Sequence, residues 1–395
     1  MAIRHFLEKV ANTTKLLIGY IVSMNLLDIK KLAQIKPDDS LVLSLFININ
    51  AKERRHSDIS TVVNHLIEEE NKNLNINRYE FKHFKPNIER IREFFDSDSF
   101  VQKENRSVAI FSKDAIDFFK VIYLAQPLAD RIVYSSDFLI RPLLGYLDTY
   151  GKYLALLVDQ SRGKFFEIEQ GKITAYRYFR DEVPNKVKEG GWYGYDEHHI
   201  ERHIEDHLHQ HYKKVAQKAL VMLKKYNYDW LILAGQPETL AKFKKTLHSY
   251  TSQKLAAEIH INLTKAPTGE VEQQMFKAAE DVKRSEHENL TSEIMNKYPS
   301  KAALGFKEAE EALDRKAAYK LLMNTNLAKT FPTCNNCDYQ AHEQNICPKC
   351  HADLSVLDEE SNELVKKALF QNCEIHFLEN ELINRHQGIG ALLRF

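Results

Sequence analysis

The sequence predicts a mixed α/β and α+β protein with three domains and a short helical extension in front of them. Three observations support this fold class. The chain has 395 residues, and one domain takes roughly 150 residues, so the length allows two or three domains. Apolar runs of strand length alternate with segments of helical periodicity, and a cysteine-rich insertion interrupts the last part. We predict an extension over residues 1–37 and domains over 38–140, 141–278 and 279–395.

The charge balance excludes a protein that binds nucleic acid or anionic membranes through its overall charge. Lys+Arg and Asp+Glu are both 55, although residues 141–278 carry 21 basic and 17 acidic residues. The middle domain is therefore the best suited to touch RNA. The longest apolar stretch, Leu16 to Leu27, is shorter than the ~20 residues that a bilayer span needs. We expect a cytoplasmic protein with no membrane segment and no leader peptide.

The first domain begins after a predicted helix at Asn25–Ile35. Its elements follow from apolar runs for strands and helical periodicity for helices. We predict strands at Ser40–Asn50, Ser107–Phe111 and Phe118–Leu124, and helices at Asp58–Leu74 and Pro86–Phe95. A connecting segment is predicted from Gln126 to about Ile140.

The middle domain alternates strands with helices, which favours a mainly parallel sheet. A hairpin is predicted at Arg162–Phe179, with Gln170-Gly171 at its turn. A loop from Asp181 to Tyr195 then leads to a long helix at about 197–226, with Asp196 as its N-cap. The remaining predicted elements are strands at 153–158, 228–235 and 256–263, and helices from Pro237 and from Thr268 to about Met295.

Four of the five cysteines in the last domain lie close together and predict a metal site. Cys334, Cys337, Cys347 and Cys350 form two C-x2-C pairs nine residues apart. Two such turns can close a tetrahedral site of four thiolates, which indicates a structural Zn²⁺. The alternative, two disulfides, requires an oxidising compartment. Cys373 lies in an apolar run and is predicted to be a core residue.

The last domain is also predicted to contain regular elements around this insertion. We predict a segment at Ala302–Leu313 that enters a helix, a segment at Ala317–Met323, a helix at Glu359–Leu369 and a strand at Glu374–Leu378. The chain then ends Gly-Ile-Gly-Ala-Leu-Leu-Arg-Phe.

Three features together resemble the archaeo-eukaryotic class 1 release factor and Pelota superfamily. They are a Gly190-Gly191 loop between a hairpin and a long helix, the ending from Gly388 to Phe395, and the three-domain order with C-x2-C pairs in the last domain. The similarity covers about residues 38–395. Release factors carry Gly-Gly-Gln in that loop, where this chain has Gly190-Gly191-Trp192. Tryptophan has one donor and no acceptor, so it cannot orient water as the glutamine amide does.

The resemblance implies a protein that occupies the aminoacyl site of the 70S ribosome and contacts 16S and 23S rRNA. The codon-reading motifs of the family are absent, so we expect neither stop-codon reading nor catalysis. Bacterial members without Gly-Gly-Gln include the hibernation factor Balon, and we expect a similar role on idle or stalled ribosomes. The family also implies a translational GTPase of the tRNA-delivering class as partner, and neither membrane nor DNA. The alternatives are a rescue factor, which splits subunits or hydrolyses peptidyl-tRNA, and a metal-dependent enzyme or RNase.

The resemblance also assigns candidate contact residues. The loop that would reach the peptidyl transferase centre contains Gly190, Gly191, Trp192, Tyr193 and Tyr195. Its aromatic residues can stack on bases, or the loop can be an ordinary surface loop. Two basic sets are candidates for rRNA contacts or, equally, for simple solvation: Lys52, Arg54, Arg55 and His56 after the first strand, and Arg180, Lys186 and Lys188 near the loop.

A histidine-rich segment occupies residues 198–211 at the start of the long helix. His199, His203, His207 and His211 repeat every four residues, so neighbours in this series share a helix face. A pair with this spacing can bind zinc, but the resembling family has no metal there. We predict a polar or RNA-facing helix surface.

Overall fold

A computed structural model of the chain describes residues 24–35, 41–73, 78–102, 105–180, 194–261, 268–325, 327, 349 and 357–395. The predicted mixed α/β multidomain fold is confirmed. The chain divides into two compact units. One contains the described residues up to Thr149 together with Thr291–Phe395, and the other is Tyr150–Leu290. Within the described ranges, we find no helix that is both long enough and apolar enough to cross a bilayer.

A four-stranded antiparallel sheet with strand order β3-β2-β1-β4 opens the first unit. Two helices cover one face, where Ile59, Val63 and Ile91 are buried against Leu45 and Ile47. The elements in this part are α1 (Leu26–Ala33), β1 (Val42–Asn48), α2 (His56–Asn73), α3 (Arg78–Asp96), β2 (Ser107–Lys113), β3 (Phe118–Leu124), β4 (Arg131–Ser135) and α4 (Arg141–Thr149).

Two predictions for this part are wrong. Strand β4 lies inside the segment predicted as a connection, because its five residues give almost no periodic signal and pair only with β1. Helix α3 begins at Arg78 and not at Pro86, so the proline lies inside the helix. A proline in that place removes a hydrogen bond but does not always end a helix.

The second unit is built on a five-stranded sheet with strand order β7-β6-β5-β8-β9. One face packs on α5 and α6, and the other packs on α8, so apolar residues on both faces of β5 and β8 are buried. The elements are β5 (Lys152–Val158), β6 (Arg162–Glu169), β7 (Lys172–Arg180), α5 (Gly194–Tyr226), β8 (Trp230–Gly235), α6 (Pro237–Lys244), α7 (Ser249–Gln253), β9 (Leu255–His260) and α8 (Thr268–Lys297).

The prediction of a mainly parallel middle sheet is wrong. Strand β5 pairs parallel with β8, and β8 with β9, but the β6–β7 hairpin extends the sheet with antiparallel pairs. The hairpin itself is as predicted, since Gln170 and Gly171 both have positive φ, 53° and 69°. Helix α5 begins at Gly194, so Asp196 is not its N-cap, and Tyr195 lies in the helix.

The first unit is completed by a second four-stranded sheet with strand order β10-β13-β11-β12. The residues Ile389–Leu393 form β13 between β10 and β11, antiparallel to both. Cys373 is buried as predicted, and burial raises the pKa of its thiol to about 12. The elements are β10 (Ala302–Leu304), α9 (Phe306–Asp314), β11 (Ala318–Asn324), α10 (Leu357–Phe370), β12 (Glu374–Leu378), α11 (Glu381–Asn384) and β13 (Ile389–Leu393).

The buried side chain of Asn362 on α10 joins the two sheets of the first unit. Its Oδ1 accepts hydrogen bonds from the backbone N–H groups of Ile140 (2.9 Å) and Arg141 (3.3 Å) at the start of α4. Its Nδ2 donates to the carbonyl of Phe138 (3.0 Å). One amide thus satisfies two N–H groups that the N-terminus of α4 would otherwise leave without partners, and one buried carbonyl that precedes the helix. We expect the predicted domains 38–140 and 279–395 to move together for this reason.

Candidate functional site

The loop between β1 and α2 carries the first set of predicted contact residues and is held in one conformation by short-range hydrogen bonds. Asn50 Oδ1 accepts from the N–H of Lys52 (3.2 Å), and the Asn50 carbonyl accepts from the N–H groups of Glu53 and Arg54 (both 2.9 Å). The Glu53 carboxylate accepts from the amides of Asn48 (2.8 Å) and Asn50 (2.5 Å). Such side-chain-to-backbone bonds favour turns and order the loop before any ligand arrives.

Arg54 is bound within the protein. Its Nη2 donates to Asp130 Oδ2 (2.5 Å) and its Nη1 donates to the Asn48 carbonyl (2.9 Å). Asp130 also accepts from the Asn48 N–H (2.7 Å), so that it fixes the end of β1. The hydrogen bond to Asp130 raises the pKa of the Arg54 guanidinium. Arg54 therefore positions the loop, and two of its five N–H donors bind within the protein.

Lys52 and Arg55 differ from Arg54, because both side chains are exposed on the same loop. His56 is also exposed and begins α2, with its ring 5.0 Å from that of Phe100. Two cations and an imidazole thus stand on a short ordered loop, with Glu53 engaged by Asn48 and Asn50. This arrangement suits phosphate groups, because the lysine and arginine are presented without first paying the entropy of ordering the loop.

We expect Arg54→Ala and Arg55→Ala to separate the two roles in this loop. Arg54→Ala leaves the half-buried Asp130 without its cation and should lower the free energy of unfolding by about 1–2 kcal/mol. Arg55→Ala should change it by less than about 0.5 kcal/mol, since the side chain is exposed. Thermal unfolding followed by circular dichroism measures both. Equal losses in the two variants would contradict the structural role of Arg54.

The second predicted set lies around the segment that joins β7 to α5. Strand β7 ends at Arg180, and α5 begins at Gly194 and contains Tyr195. Gly190, Gly191, Trp192, Tyr193, Lys186 and Lys188 lie outside the described residues, as do Cys334, Cys337, Cys347 and Cys350. The structure thus places the two ends of the loop at an edge strand and at the first turn of a long helix.

A network around the buried carboxylate of Glu167 on β6, which sequence reasoning missed, supports the hairpin that leads to this loop. The Glu167 carboxylate accepts a short hydrogen bond from the Tyr228 hydroxyl and a bond from Arg177 Nε (2.7 Å). Burial alone would raise the pKa of Glu167, but the hydrogen bonds from Tyr228 and Arg177 outweigh it and lower that pKa. Burial and the adjacent Glu167 raise the pKa of the Tyr228 hydroxyl. The network connects the hairpin to Tyr228, which lies just before the start of β8.

The histidine series on α5 passes from the surface into the core. His203 and His207 are exposed, and their rings lie 4.5 Å apart, which confirms that they share a face. His211 is buried and stacks on Phe179 at 6.0 Å, so the predicted polar surface is wrong for this residue. Among the described residues, no three histidine, cysteine or carboxylate side chains are grouped as a metal site.

The comparison with protein families identifies the class of this segment. Residues 139–280 match the profile of bacterial archaeo-eukaryotic release factor family 10. The match includes the hairpin, the Gly190-Gly191-Trp192 segment, the long helix α5 and the first 13 of the 30 residues of α8. The resemblance to the archaeo-eukaryotic release factor and Pelota superfamily is thereby confirmed. None of the curated proteins matches the chain.

Solved structures of release factor and Pelota proteins also resemble the chain. An archaeal translation termination factor, aRF1, is 16 % identical, with 94 % of this chain and 99 % of that chain covered and a TM-score of 0.27. Dom34 of S. cerevisiae, described as interacting with Hbs1, is 12 % identical over 73 % and 81 %, with a TM-score of 0.42. A ribosome-bound archaeal Pelota, described together with ABCE1, is 14 % identical over 73 % and 77 %, also at 0.42. None of these three TM-scores reaches 0.5.

Proposed function

We propose that this protein is a translation factor that occupies the aminoacyl site of idle or stalled 70S ribosomes and blocks it without catalysis. The observation that carries the proposal is the family match over residues 139–280, in a segment where Trp192 follows Gly190-Gly191. A release factor needs an amide at that position to hold water against the peptidyl ester. An indole has no acceptor and can only donate or stack. The chain therefore has the shape-determining glycines of the loop without its hydrolytic group.

The β1–α2 loop supports the decoding end of this proposal. Lys52 and Arg55 are exposed on a loop that Asn50 and Glu53 order, whereas Arg54 is occupied by Asp130. Cations on an ordered loop can bind rRNA phosphates regardless of the codon. This is the behaviour required of a factor that blocks the site without reading a stop codon.

We also propose that the four clustered cysteines of the last domain bind one structural Zn²⁺. We expect about one zinc per chain by elemental analysis of the purified protein, and loss of most of it in Cys334→Ser or Cys347→Ser, because removing one thiolate opens a four-ligand site. The control is Cys373→Ala, which removes the buried free thiol and should leave the zinc content unchanged. Disulfides in place of zinc would appear as a metal-free protein in which Cys373 is the one remaining thiol.

A GTPase of the tRNA-delivering class is the partner we propose for delivery, and protection of idle ribosomes is the role we favour over rescue. The favouring observation is Trp192, since peptidyl-tRNA hydrolysis needs a group that this loop position lacks. Subunit splitting as in Pelota is the alternative, and it predicts free 30S and 50S subunits after incubation with the protein.

Co-sedimentation with 70S ribosomes through a sucrose cushion tests the proposal. We expect stoichiometric binding that an occupying aminoacyl-site tRNA abolishes, and no release of peptide from a loaded ribosome. Lys52→Ala with Arg55→Ala should weaken the binding by about tenfold or more, because two phosphate contacts are lost. Binding that ignores the tRNA, or no binding at low salt, would overturn the proposal.

A further inference from the structure

A groove on the Tyr150–Leu290 unit is lined by apolar surface and by several groups that donate hydrogen bonds. It lies between helix α5 and the loop from α6 to α7 and has a volume of about 620 Å³. The polar residues along it are Lys213, Lys214, Gln217, Thr246 and His248. None of the described residues that line it is an aspartate or glutamate. Its chemistry is that of a site for an anion.

The charge pattern of the chain separates this surface from the rest of the middle domain. Residues 207–228 and 239–257, which contain the residues that line the groove, hold nine lysines and no acidic residue. All 17 acidic residues of the segment 141–278 lie outside these two stretches. The groove therefore lies in stretches of the chain that carry positive charge, which raises the local potential although the net charge is zero. Within them, Lys244 is paired with Glu258 (2.6 Å).

The loop wall of the groove is ordered by its own hydrogen bonds. His248 Nδ1 accepts from the N–H of Tyr250 (3.1 Å), so the neutral imidazole carries its proton on Nε2 as a donor. The Thr246 hydroxyl donates to the Phe243 carbonyl (2.7 Å), and Leu247 packs against the buried core of the unit. A preordered wall loses little entropy when it binds a ligand.

The basic surface continues past the groove along α5. Lys224 lies in the last turn of α5. Its Nζ is 5.7 Å from the centre of the Tyr250 ring on α7. Lys224 lies ten positions after Lys214, which corresponds to about 15 Å of helix. Cations separated by this length fit a chain of phosphates better than a single small anion.

We propose that this groove, with Lys213 and Lys214 on one wall and His248 on the other, binds the phosphate backbone of RNA. The proposal rests on the proposed function in one respect, since a factor in the aminoacyl site would meet ribosomal RNA there. The lysines hold phosphate oxygens, while Gln217 and the imidazole N–H donate to phosphate or sugar oxygens. Such contacts add affinity and fix orientation without reading sequence.

Binding of a fluorescently labelled RNA hairpin, measured by anisotropy between about 50 and 200 mM KCl, tests the groove. The variant is Lys213→Gln with Lys214→Gln. The matched control is Lys172→Gln with Lys277→Gln, which removes the same charge from the same unit away from the groove. We expect the groove variant to raise the Kd about tenfold and to reduce the salt slope by about 2, and the control to change neither appreciably.

The outcomes separate this proposal from the proposed function. An unchanged Kd and slope in the groove variant, or an equal loss in the control, would overturn it. A loss of binding to a labelled polyglutamate peptide but not to RNA would overturn it in favour of an acidic protein partner. Groove-dependent RNA binding without ribosome co-sedimentation would leave the groove standing and remove the aminoacyl-site function. Ribosome co-sedimentation together with an unchanged RNA affinity in the groove variant would keep the aminoacyl-site function and remove the groove proposal.

Discussion

Replacing Glu167 by alanine is expected to lower the free energy of unfolding of the Tyr150–Leu290 unit by about 3 kcal/mol. The substitution removes the acceptor of the Tyr228 hydroxyl, which is buried and donates a short hydrogen bond to the carboxylate. A buried donor without a partner costs about 1–3 kcal/mol, and lost packing adds to it. Chemical denaturation followed by tryptophan fluorescence measures the effect, since both tryptophans, Trp192 and Trp230, belong to this unit.

The same network predicts how this unit responds to acid. The pKa of Glu167 is lower in the folded protein than in the unfolded chain, where it is about 4.3. Its contribution to stability is therefore complete above that value and is lost as the pH falls through the folded pKa. Glu167→Gln should be less stable than the wild type at neutral pH and should lose less stability between neutral pH and about pH 3. Parallel acid profiles for the two proteins would contradict this.

Glu169→Ala is the matched control for Glu167→Ala. Glu169 lies two residues further on the same strand, where its carboxylate is 3.6 Å from Lys152 Nζ. A pair at that distance near the surface is worth about 0–1 kcal/mol. A loss as large as that of Glu167→Ala would indicate that any carboxylate on β6 matters, and not the bond to Tyr228.

Gly235→Ala is the second substitution for which we expect a large effect, a loss of about 2–4 kcal/mol in the free energy of unfolding. A Cβ at this position, at the end of β8, would lie 2.6 Å from the backbone carbonyl oxygen of Val158 and 3.2 Å from Leu240 Cδ2. Backbone in a central strand cannot move as a side chain does, so the neighbouring strands must separate. The same fluorescence measurement reports the change.

Gly269→Ala is the control in the same unit, and for it we expect no loss of stability. Gly269 lies in α8 and has nothing within 4 Å of an added Cβ. Alanine restricts the unfolded chain and favours helix, so this variant should be unchanged or more stable by up to about 1 kcal/mol. If Gly235→Ala were as well tolerated as Gly269→Ala, β5 and β8 would not be packed as the structure has them.

The sequence predicted those elements whose signal is local. The apolar run Phe118–Leu124 is strand β3 without a shift at either end, and Gln170-Gly171 lies at the hairpin turn. Strand β4 was missed because it is stabilised by pairing with β1, which lies more than eighty residues earlier in the chain. A five-residue strand is stabilised by its neighbour more than by its own propensity.

The candidate site shows the same division. The basic residues after β1 were predicted from their charge, but the pairing of Arg54 with Asp130 joins positions 76 residues apart and has no local signature. Glu167 and Tyr228 are 61 residues apart, and neither lies in a recognisable motif. His211 follows the four-residue spacing of its exposed neighbours, yet the helix turns it beneath Phe179. Spacing along a helix places residues on one face but does not say where that face becomes covered.

The hydrogen bonds of Asn362 have a consequence for the time order of synthesis. The amide that completes the N-terminus of α4 is made 222 residues after the Ile140 N–H that it accepts from. At about 5–20 residues per second, a ribosome needs roughly 10–45 s to make that length. Throughout this interval β1 to β4 have been made, but the backbone N–H groups of Ile140 and Arg141 lack the Asn362 amide oxygen that accepts from them.

The middle unit has a shorter delay, because its five strands are made by His260 and α8, which covers one face of the sheet, is made by Lys297. A nascent chain arrested between Lys297 and Asn362 would therefore hold all strands and helices of the middle unit together with a first unit that still lacks the buried residues of α10. We expect this protein to need a chaperone most at this stage of synthesis.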